Sequence, residues 1–191
     1  RDTEEASRGN TDVMMIISIN TKNKTVTMTS LMRDMYIYMA QFDEGNRLNS
    51  AYWHGGCEYL EQCIEDYLGI EIDRYARVNF YSFIDIVETV GGIDMEVSKA
   101  EAKGMRDPMG EQNKYLKNKK GTDYIDLDQY KGKKDDEKIK LHLNGNQALA
   151  FARLRYIGNS DYERTERQRR VISEIITEAK KLNLVQLDKL L

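Results

Sequence analysis

The most informative chemical feature of this sequence is the separation of arginine from lysine. Six of the thirteen arginines fall between positions 153 and 170, a stretch that contains no lysine. Solvated surfaces do not discriminate between the two cations, whereas sites that bind carboxylate or phosphate do, because guanidinium presents a planar fork of donors. The clustering therefore predicts a dedicated anion-binding site, and phosphate is the anion that we expect.

These arginines lie on two consecutive predicted helices. Arg153 and Arg155 close the first helix, before a loop at 158–160. Arg164 and Gln168 are four residues apart, so they share one face of the second helix. The N-terminus of that helix offers unpaired backbone N–H groups and the positive end of its dipole, which favour an anion. We therefore expect these donors to converge on one doubly phosphorylated ligand.

The same segment also fits a purely structural interpretation. Glu163 and Glu166 are spaced to pair with arginines along the helix, which would make it a salt-bridged helix. Arg169 and Arg170 are assigned to the surface, and Arg167 is left unassigned.

Another arginine and two carboxylates lie at predicted strand ends. Arg33 and Asp34 directly follow the second strand, a place where α/β proteins often carry functional side chains. A buried Arg–Asp pair is the alternative. Asp12 immediately precedes the first apolar strand, where a carboxylate either ligates Mg²⁺ or caps a turn.

The overall charge excludes one class of anion-binding protein. The formal net charge is -3, whereas proteins held to nucleic acid or membrane by global charge are usually strongly basic. Anion binding must therefore come from local clustering. A non-catalytic module that binds nucleic acid or another anionic ligand through the six arginines, with Tyr156 and Tyr162 nearby, is an alternative function.

The arginines are carried by alternating strands and helices. Apolar and β-branched runs at 13–19 and 25–31, separated by a polar turn, predict a hairpin. Further elements follow in chain order: an extended piece at 35–39, a helix at 57–68, a strand at 75–80, a helix at 83–90, a strand at 93–97, a helix from 144 and a last helix at 162–182. Asn144 with Gln147, and Ser160 with Glu163, have capping-box spacing at the starts of the last two helices, and Val171 belongs to the buried stripe of the last one. Helices between strands indicate an α/β fold, with a mixed sheet because a hairpin starts it.

Residues 98–141 differ in composition from the rest of the chain. They contain eleven lysines and nine acidic residues, with Arg106 as their one arginine and only scattered apolar residues. This composition predicts a charged, solvated insertion with a strand or turn near 124–127.

Cysteine usage and hydropathy add little about function. Cys57 and Cys63 would be separated by about 9 Å of rise on one helix, beyond the roughly 7 Å limit for a disulfide, so we expect two free thiols. No apolar run reaches the roughly 20 residues that a membrane span needs. The chain opens on Arg1 without a signal peptide, so we expect it to be part of a longer protein.

Six sequence blocks, in this order, resemble the LytR-CpsA-Psr family of extracellular bacterial enzymes. They are similar to the family patterns R-S-D-T-M-M, S-I-P-R-D, I-N-A-A-Y with G-G, V-N-F with G-G-V-D, L-N-G-E-Q-A-L-A-Y-A-R-x-R, and D-x-x-R-x-x-R-Q. In this chain the blocks are Arg8–Met15, Ser30–Asp34, Leu48–Gly56, Val78–Asp94, Leu143–Arg155 and Asp161–Gln168. One departure is that the acidic residue of the family's G-x-D pattern has no counterpart before the first strand, which would weaken metal binding.

The resemblance implies a fold, a reaction and a location. The fold would be an α/β/α sandwich around a mixed central β-sheet, formed by residues 1–191 as one catalytic domain. Such enzymes transfer glycopolymers, for example teichoic acid or capsule, from undecaprenyl-pyrophosphate carriers onto peptidoglycan. The domain would lie at the extracellular face of the cytoplasmic membrane in a Gram-positive-type cell envelope, attached by one N-terminal membrane anchor that precedes this chain.

The resemblance also implies roles for the residues matched to its motifs. The pyrophosphate would be held by Arg33, Arg153, Arg155, Arg164 and Gln168. Asp12 and Asp161 would be the acidic residues near Mg²⁺, the expected cofactor. The lipid channel would be lined by Phe80, Phe83, Ile84 and Val87, which are ordinary core residues by composition alone.

Phosphoryl transfer fits these residues because arginines and Mg²⁺ stabilise charge that moves towards a leaving phosphate. The nucleophile would be a sugar hydroxyl, with Asp34 or Asp161 as the base. A polyprenyl-pyrophosphate pyrophosphatase, whose acceptor is water, is the second enzymatic alternative.

Overall fold

The computed structural model describes residues 9–155, 157 and 161–182, apart from the side chain of Asp161. The chain forms two compact units, Arg1–Arg77 and Val78–Leu191. Within the described residues, no helix is long and apolar enough to cross a membrane.

The first unit contains two hairpins and a long helix. Its elements are β1 (Met14–Asn20), β2 (Thr25–Leu31), β3 (Tyr36–Met39), β4 (Glu44–Arg47) and α1 (Leu48–Leu68). β1 pairs with β2 in antiparallel register from Met14↔Leu31 to Asn20↔Thr25, which confirms the predicted hairpin. Gly69 ends α1 with a positive φ of 65°, a conformation that glycine adopts at little cost.

One face of each hairpin in the first unit supplies the core. Ile37 and Met39 are buried on β3, while Tyr36 and Tyr38 between them are exposed, as the two-residue period of a strand requires. The complete core set is Met14, Ile37, Met39, Leu48, Ala51, Tyr59, Cys63 and Ile64. Cys57 and Cys63 are free thiols, as predicted, and burial raises the pKa of Cys63.

The second unit alternates helices with one strand pair. Its elements are α2 (Phe80–Thr89), β5 (Ile93–Ser98), α3 (Lys99–Gly104), α4 (Arg106–Tyr115), a 3₁₀ turn (Leu127–Tyr130), β6 (Lys138–Leu143), α5 (Gly145–Ala152) and α6 (Asp161–Ala179). β5 and β6 are antiparallel. The mixture of helices and strands confirms the α/β class. The strand pairs recorded in the described residues are three two-stranded antiparallel sheets, with no parallel pair among them.

The strand predicted at 75–80 is wrong. Residues 70–79 are irregular and α2 begins at Phe80. Asn79 caps this helix, because its side-chain oxygen accepts a hydrogen bond of 2.8 Å from the backbone N–H of Ser82. The capping residue outweighs the β propensity of the preceding residues.

The prediction of a solvated insertion at 98–141 is also wrong. Met105, Met109 and Tyr130 are completely buried in the core of the second unit. The Tyr130 hydroxyl donates a hydrogen bond of 2.9 Å to the backbone oxygen of Val97. The segment has few apolar residues, but those on α3 and α4 recur at helical spacing, so they form one buried stripe beneath a charged surface.

The position of α5 is fixed at its first turn. Asn144 and Gln147 form the predicted capping box, with hydrogen bonds of 2.9 and 3.1 Å. The backbone N–H of Gly145 donates to the Glu88 carboxylate on α2 at 2.7 Å. A Cβ atom at position 145 would lie 2.6 Å from the backbone oxygen of Ile84, so only glycine allows this approach of α5 to α2.

Candidate anion-binding site

Arg153 is held in place at the C-terminal end of α5. Its Nη1 donates to the side-chain oxygen of Gln112 at 3.1 Å, and its Nη2 donates to the Glu111 carboxylate at 3.0 Å. The guanidinium carbon lies 4.8 Å from the ring centroid of Phe80, a cation–π distance. The side chain stays 27% exposed, so this ordered cation can still meet a ligand.

Helix α6 brings two more of the predicted residues towards the end of α5. The Gln168 amide donates to the backbone oxygen of Ala152, the residue before Arg153, at 3.3 Å. Arg164 lies one turn earlier on α6 and is only 9% exposed. Arg155, two residues beyond Arg153, is exposed. The structure thus places Gln168 against the end of α5, at the residue that precedes Arg153.

Arg167, which the sequence left unassigned, stabilises the junction between α5 and α6. It is 3% exposed, and its Nη2 donates to the backbone oxygens of Leu154 and Ile157 at 3.0 and 3.4 Å. Its Nη1 lies 3.7 Å from the Glu101 carboxylate and 3.6 Å from the Glu163 carboxylate. Two backbone oxygens and two carboxylates around one buried guanidinium indicate that Arg167 has a structural role.

Arg169 and Arg170 also contact protein groups. Arg169 pairs with Glu166 at 2.7 Å on the same helix, and Arg170 donates to the backbone oxygen of Glu96 at 2.7 Å. The salt-bridged interpretation of α6 therefore holds for part of the arginine cluster. The assignment of Arg153, Arg155 and Arg164 to a ligand stays a prediction, and Arg153 is itself paired with Glu111.

Arg33 and Asp12 form an ion pair within the first unit. Arg33 Nη1 lies 3.5 Å from Asp12 Oδ1, with the two side chains 34% and 48% exposed. The ion pair of Arg33 therefore differs from the alternative of a buried Arg33–Asp34 pair, because it is partly exposed and its acid is Asp12. Asp34, the acid expected in that pair, is exposed. The backbone N–H of Asn49, at the start of α1, donates to the Arg33 carbonyl oxygen at 3.1 Å and fixes the local backbone.

The described residues contain no group of three or more His, Cys, Asp or Glu side chains that could hold a metal ion. The side chain of Asp161, the second predicted magnesium ligand, lies outside the described residues, as does the loop at 158–160. The proposed capping residue of α6, Ser160, falls in the same gap.

The lipid-channel candidates occupy successive turns of α2. Val87 is completely buried in the core, and Phe83 packs against that core. Ile84 contacts α5 at Gly145, and Phe80 lies beneath the Arg153 guanidinium. Phe83, Ile84 and Val87 thus have packing roles, and their lining of a lipid channel stays a prediction.

The sequence analysis missed Glu111 and Gln112, both direct partners of Arg153. They were counted within the solvated segment, where acidic and amide side chains are unremarkable. The spacing of Met105, Met109 and Gln112 places all three on one helical face, and this was the available signal that Gln112 points inward.

A separate charged cluster ties β5 to β6. His142 Nδ1 lies 2.8 Å from the Asp94 carboxylate, and its Nε2 lies 2.9 Å from the Gly91 carbonyl oxygen. Both partners are acceptors, so the doubly protonated ring can donate to each of them. These contacts, led by the Asp94 hydrogen bond, raise the pKa of His142. Hydrogen bonds from His142 and Lys140 lower the pKa of Asp94.

Curated proteins with similar sequences include transferases of teichoic acid onto peptidoglycan. The chain is 30% identical to the polyisoprenyl-teichoic acid–peptidoglycan teichoic acid transferase TagV of Bacillus subtilis, covering 97% of this chain and 43% of that protein. It is also 30% identical to the corresponding transferase TagU of Enterococcus faecalis, covering 96% of this chain and 52% of the relative. The chain thus spans about half the length of these curated relatives.

A solved structure supports the same grouping. The fold is similar to that of TagT bound to LIIa-WTA, with a TM-score of 0.71 and 26% identity over 91% of this chain and 60% of that chain. The sequence model of the LytR_cpsA_psr family matches residues 1–191. The chain therefore belongs to the LytR_cpsA_psr family.

Proposed function

We propose that this chain is the catalytic domain of a phosphotransferase that moves a glycopolymer from a polyprenyl-pyrophosphate carrier onto peptidoglycan. The relatives TagV and TagU, which are polyisoprenyl-teichoic acid–peptidoglycan teichoic acid transferases, support this proposal. The structural observation that carries it is Arg153, a cation held by Gln112 and Glu111 with part of its side chain exposed, at the end of α5 that Gln168 of α6 contacts through Ala152.

The reaction that we propose forms one bond and breaks one. An acceptor hydroxyl oxygen attacks the phosphorus that carries the glycopolymer, and the bridging P–O bond of the pyrophosphate breaks. The bond electrons leave with the polyprenyl phosphate, and the hydroxyl proton passes to a base, for which Asp34 and Asp161 are the candidates. Negative charge grows on the leaving phosphate, where the guanidinium groups of Arg153, Arg155 and Arg164 would stabilise it.

Mg²⁺ belongs to the proposal as the expected cofactor. Mg²⁺ sites of this kind commonly use one or two carboxylates and complete the shell with substrate phosphates and water. Asp12, half-exposed beside Arg33, fits such a site, and Asp161 is the second proposed ligand. The bound ion would supply further positive charge to the phosphates. The undecaprenyl carrier, the membrane anchor and the extracellular location are likewise expectations from the family.

A transfer assay tests the proposal directly. The protein is incubated with Mg²⁺ and a polyprenyl-pyrophosphate-linked saccharide, with and without peptidoglycan, and both polyprenyl phosphate and saccharide-modified peptidoglycan are measured. Release that requires peptidoglycan supports transfer. Equal release without peptidoglycan would indicate a pyrophosphatase, and no release in either mixture would contradict both activities.

Substitution of single arginines then tests the site. Arg153→Ala should lower the transfer rate by about 10²- to 10³-fold, the usual loss for one preorganised donor. Arg33→Ala tests the contribution of the first unit in the same assay. Arg169→Ala is the matched control, because Arg169 is paired with Glu166 and should leave transfer unchanged. Equal rates for Arg153→Ala and the control would remove Arg153 from the site.

The nucleic-acid alternative is disfavoured by the contacts of the arginine cluster. Arg153, Arg167, Arg169 and Arg170 all contact protein carboxylates, amide oxygens or backbone oxygens, so at least four of the six arginines already have protein partners. A salt titration with an oligonucleotide would show steep salt-dependent binding if the alternative were correct. We expect weak binding with a shallow salt dependence.

A further inference from the structure

Arg153 lies at one end of a chain of side-chain hydrogen bonds that runs through Gln112 of the segment at 98–141 and Asn146 of α5. Gln112 on α4 is 2% exposed and provides the oxygen that accepts from Arg153 Nη1. An amide group can bind a guanidinium only through its oxygen, because a guanidinium has donors alone. Whether Gln112 binds Arg153 therefore depends on which way its amide is turned.

Asn146 sets the orientation of the Gln112 amide. The Gln112 nitrogen donates to the backbone oxygen of Asn146 at 2.8 Å and to its side-chain oxygen at 2.6 Å. A flipped amide would place the Gln112 oxygen against these two acceptors and its nitrogen against the Arg153 donors. Both ends would then be mismatched, so one orientation is strongly favoured.

Asp123 in turn sets the orientation of Asn146. The Asn146 side-chain nitrogen donates to the Asp123 carboxylate at 2.9 Å and to the side-chain oxygen of Asn113 at 3.0 Å. An ionised carboxylate only accepts, so the Asn146 nitrogen must face it and the Asn146 oxygen must face Gln112. Asp123 is itself held by Asn144, whose side-chain nitrogen donates to the other carboxylate oxygen at 2.9 Å.

We propose that Gln112 is a positioning residue for Arg153, and that Asp123 and Asn146 determine the direction of its amide. The inference rests on the proposed function, in which Arg153 binds the pyrophosphate. Gln112 is neutral, so it fixes the guanidinium without cancelling its charge. A carboxylate at the same buried position would hold Arg153 equally well but would compete with the anionic substrate.

The test compares Gln112→Met with a control variant from the same segment. Methionine is close to glutamine in size but can neither accept from Arg153 nor donate to Asn146, so the variant loses three hydrogen bonds. Tyr130→Phe removes one buried hydrogen bond in the same segment without touching Arg153. Gln112→Met should lower kcat by about 10- to 100-fold, since small displacements of a catalytic group cost about this much. Tyr130→Phe should leave kcat unchanged at a temperature where both variants are folded.

A double-mutant cycle with Arg153→Ala separates positioning from a general structural effect. If Gln112 acts through Arg153, Gln112→Met should cause no further loss in the Arg153→Ala background. Independent, multiplying losses would overturn the inference, as would a Gln112→Met variant that behaves like Tyr130→Phe. Asp123→Asn should give a smaller loss of the same kind, because an asparagine allows the amide chain to reverse.

A binding measurement keeps this inference distinct from the proposed function. Calorimetry with inorganic pyrophosphate should show weaker binding for Gln112→Met and for Arg153→Ala than for the unmodified protein and Tyr130→Phe. If transfer is absent but this pattern is found, the proposed function fails and the positioning role stands. Unchanged pyrophosphate affinity in Gln112→Met, with reduced affinity in Arg153→Ala, would refute the positioning role alone.

Discussion

Replacing Glu111 by glutamine should strengthen the binding of inorganic pyrophosphate. The Glu111 carboxylate lies 3.0 Å from Arg153 Nη2, so it occupies a donor that the ligand needs. The two side chains are 61% and 27% exposed, and exposed pairs of this kind contribute about 0.2–1 kcal/mol. Removing the competing charge should therefore lower the Kd by about 1.4- to 5-fold. Glutamine keeps a neutral acceptor in the same place.

Calorimetric titration with pyrophosphate at low salt measures this change, since salt would screen it. Glu166→Gln is the matched control, because it removes the same charge from a carboxylate paired with Arg169 instead of Arg153. An equal decrease of the Kd in both variants would show that the effect comes from the change in net charge alone. A Kd that is unchanged or higher in Glu111→Gln would refute the competition between Glu111 and the ligand.

Two further predictions concern stability. Met109→Ala should lower the free energy of unfolding by about 2–5 kcal/mol because a completely buried side chain is lost, whereas a solvated segment would show less than about 0.5 kcal/mol in denaturant titrations. The raised pKa of His142 means that its protonated form stabilises the fold, fully below its ordinary value of 6.5 and progressively less as pH rises through the higher folded value. Thermal unfolding across this range should show that loss, and His142→Gln should abolish it; an identical pH profile in the variant would contradict the assignment.

Local sequence signals predicted local structure well. The β1–β2 hairpin, the Asn144–Gln147 capping box and the buried Val171 face of α6 all depend on residues close in sequence. Spacing along the chain determines such features, so they can be read from one sequence. The arginine segregation likewise led to Arg153 at the end of α5 and to Gln168 of α6, which contacts the residue before Arg153.

Features that depend on distant partners could not be predicted. Gln112 and Asn146 are 34 residues apart. The hydrogen-bond partner of an amide side chain cannot be predicted from the residue type alone. The structural role of Arg167 follows from its backbone carbonyl partners, and these partners are not evident from the sequence. The segment around Met105 and Met109 is rich in charged residues, yet both methionines lie in the core. A helix can bury one face with only a few apolar residues at helical spacing, so composition alone did not predict this burial.

The glycine at 145 has a consequence at the opposite end of its helix. α2 and α5 run antiparallel, so that Gly145 meets Ile84 at one end and Arg153 covers Phe80 at the other. Helix α5 has eight residues and is roughly 12 Å long. A displacement of its first turn therefore also moves its last turn. A single methyl group at 145 would thus displace α5 and with it Arg153, so that affinity for the proposed ligand would change although every side chain of the proposed site stays the same.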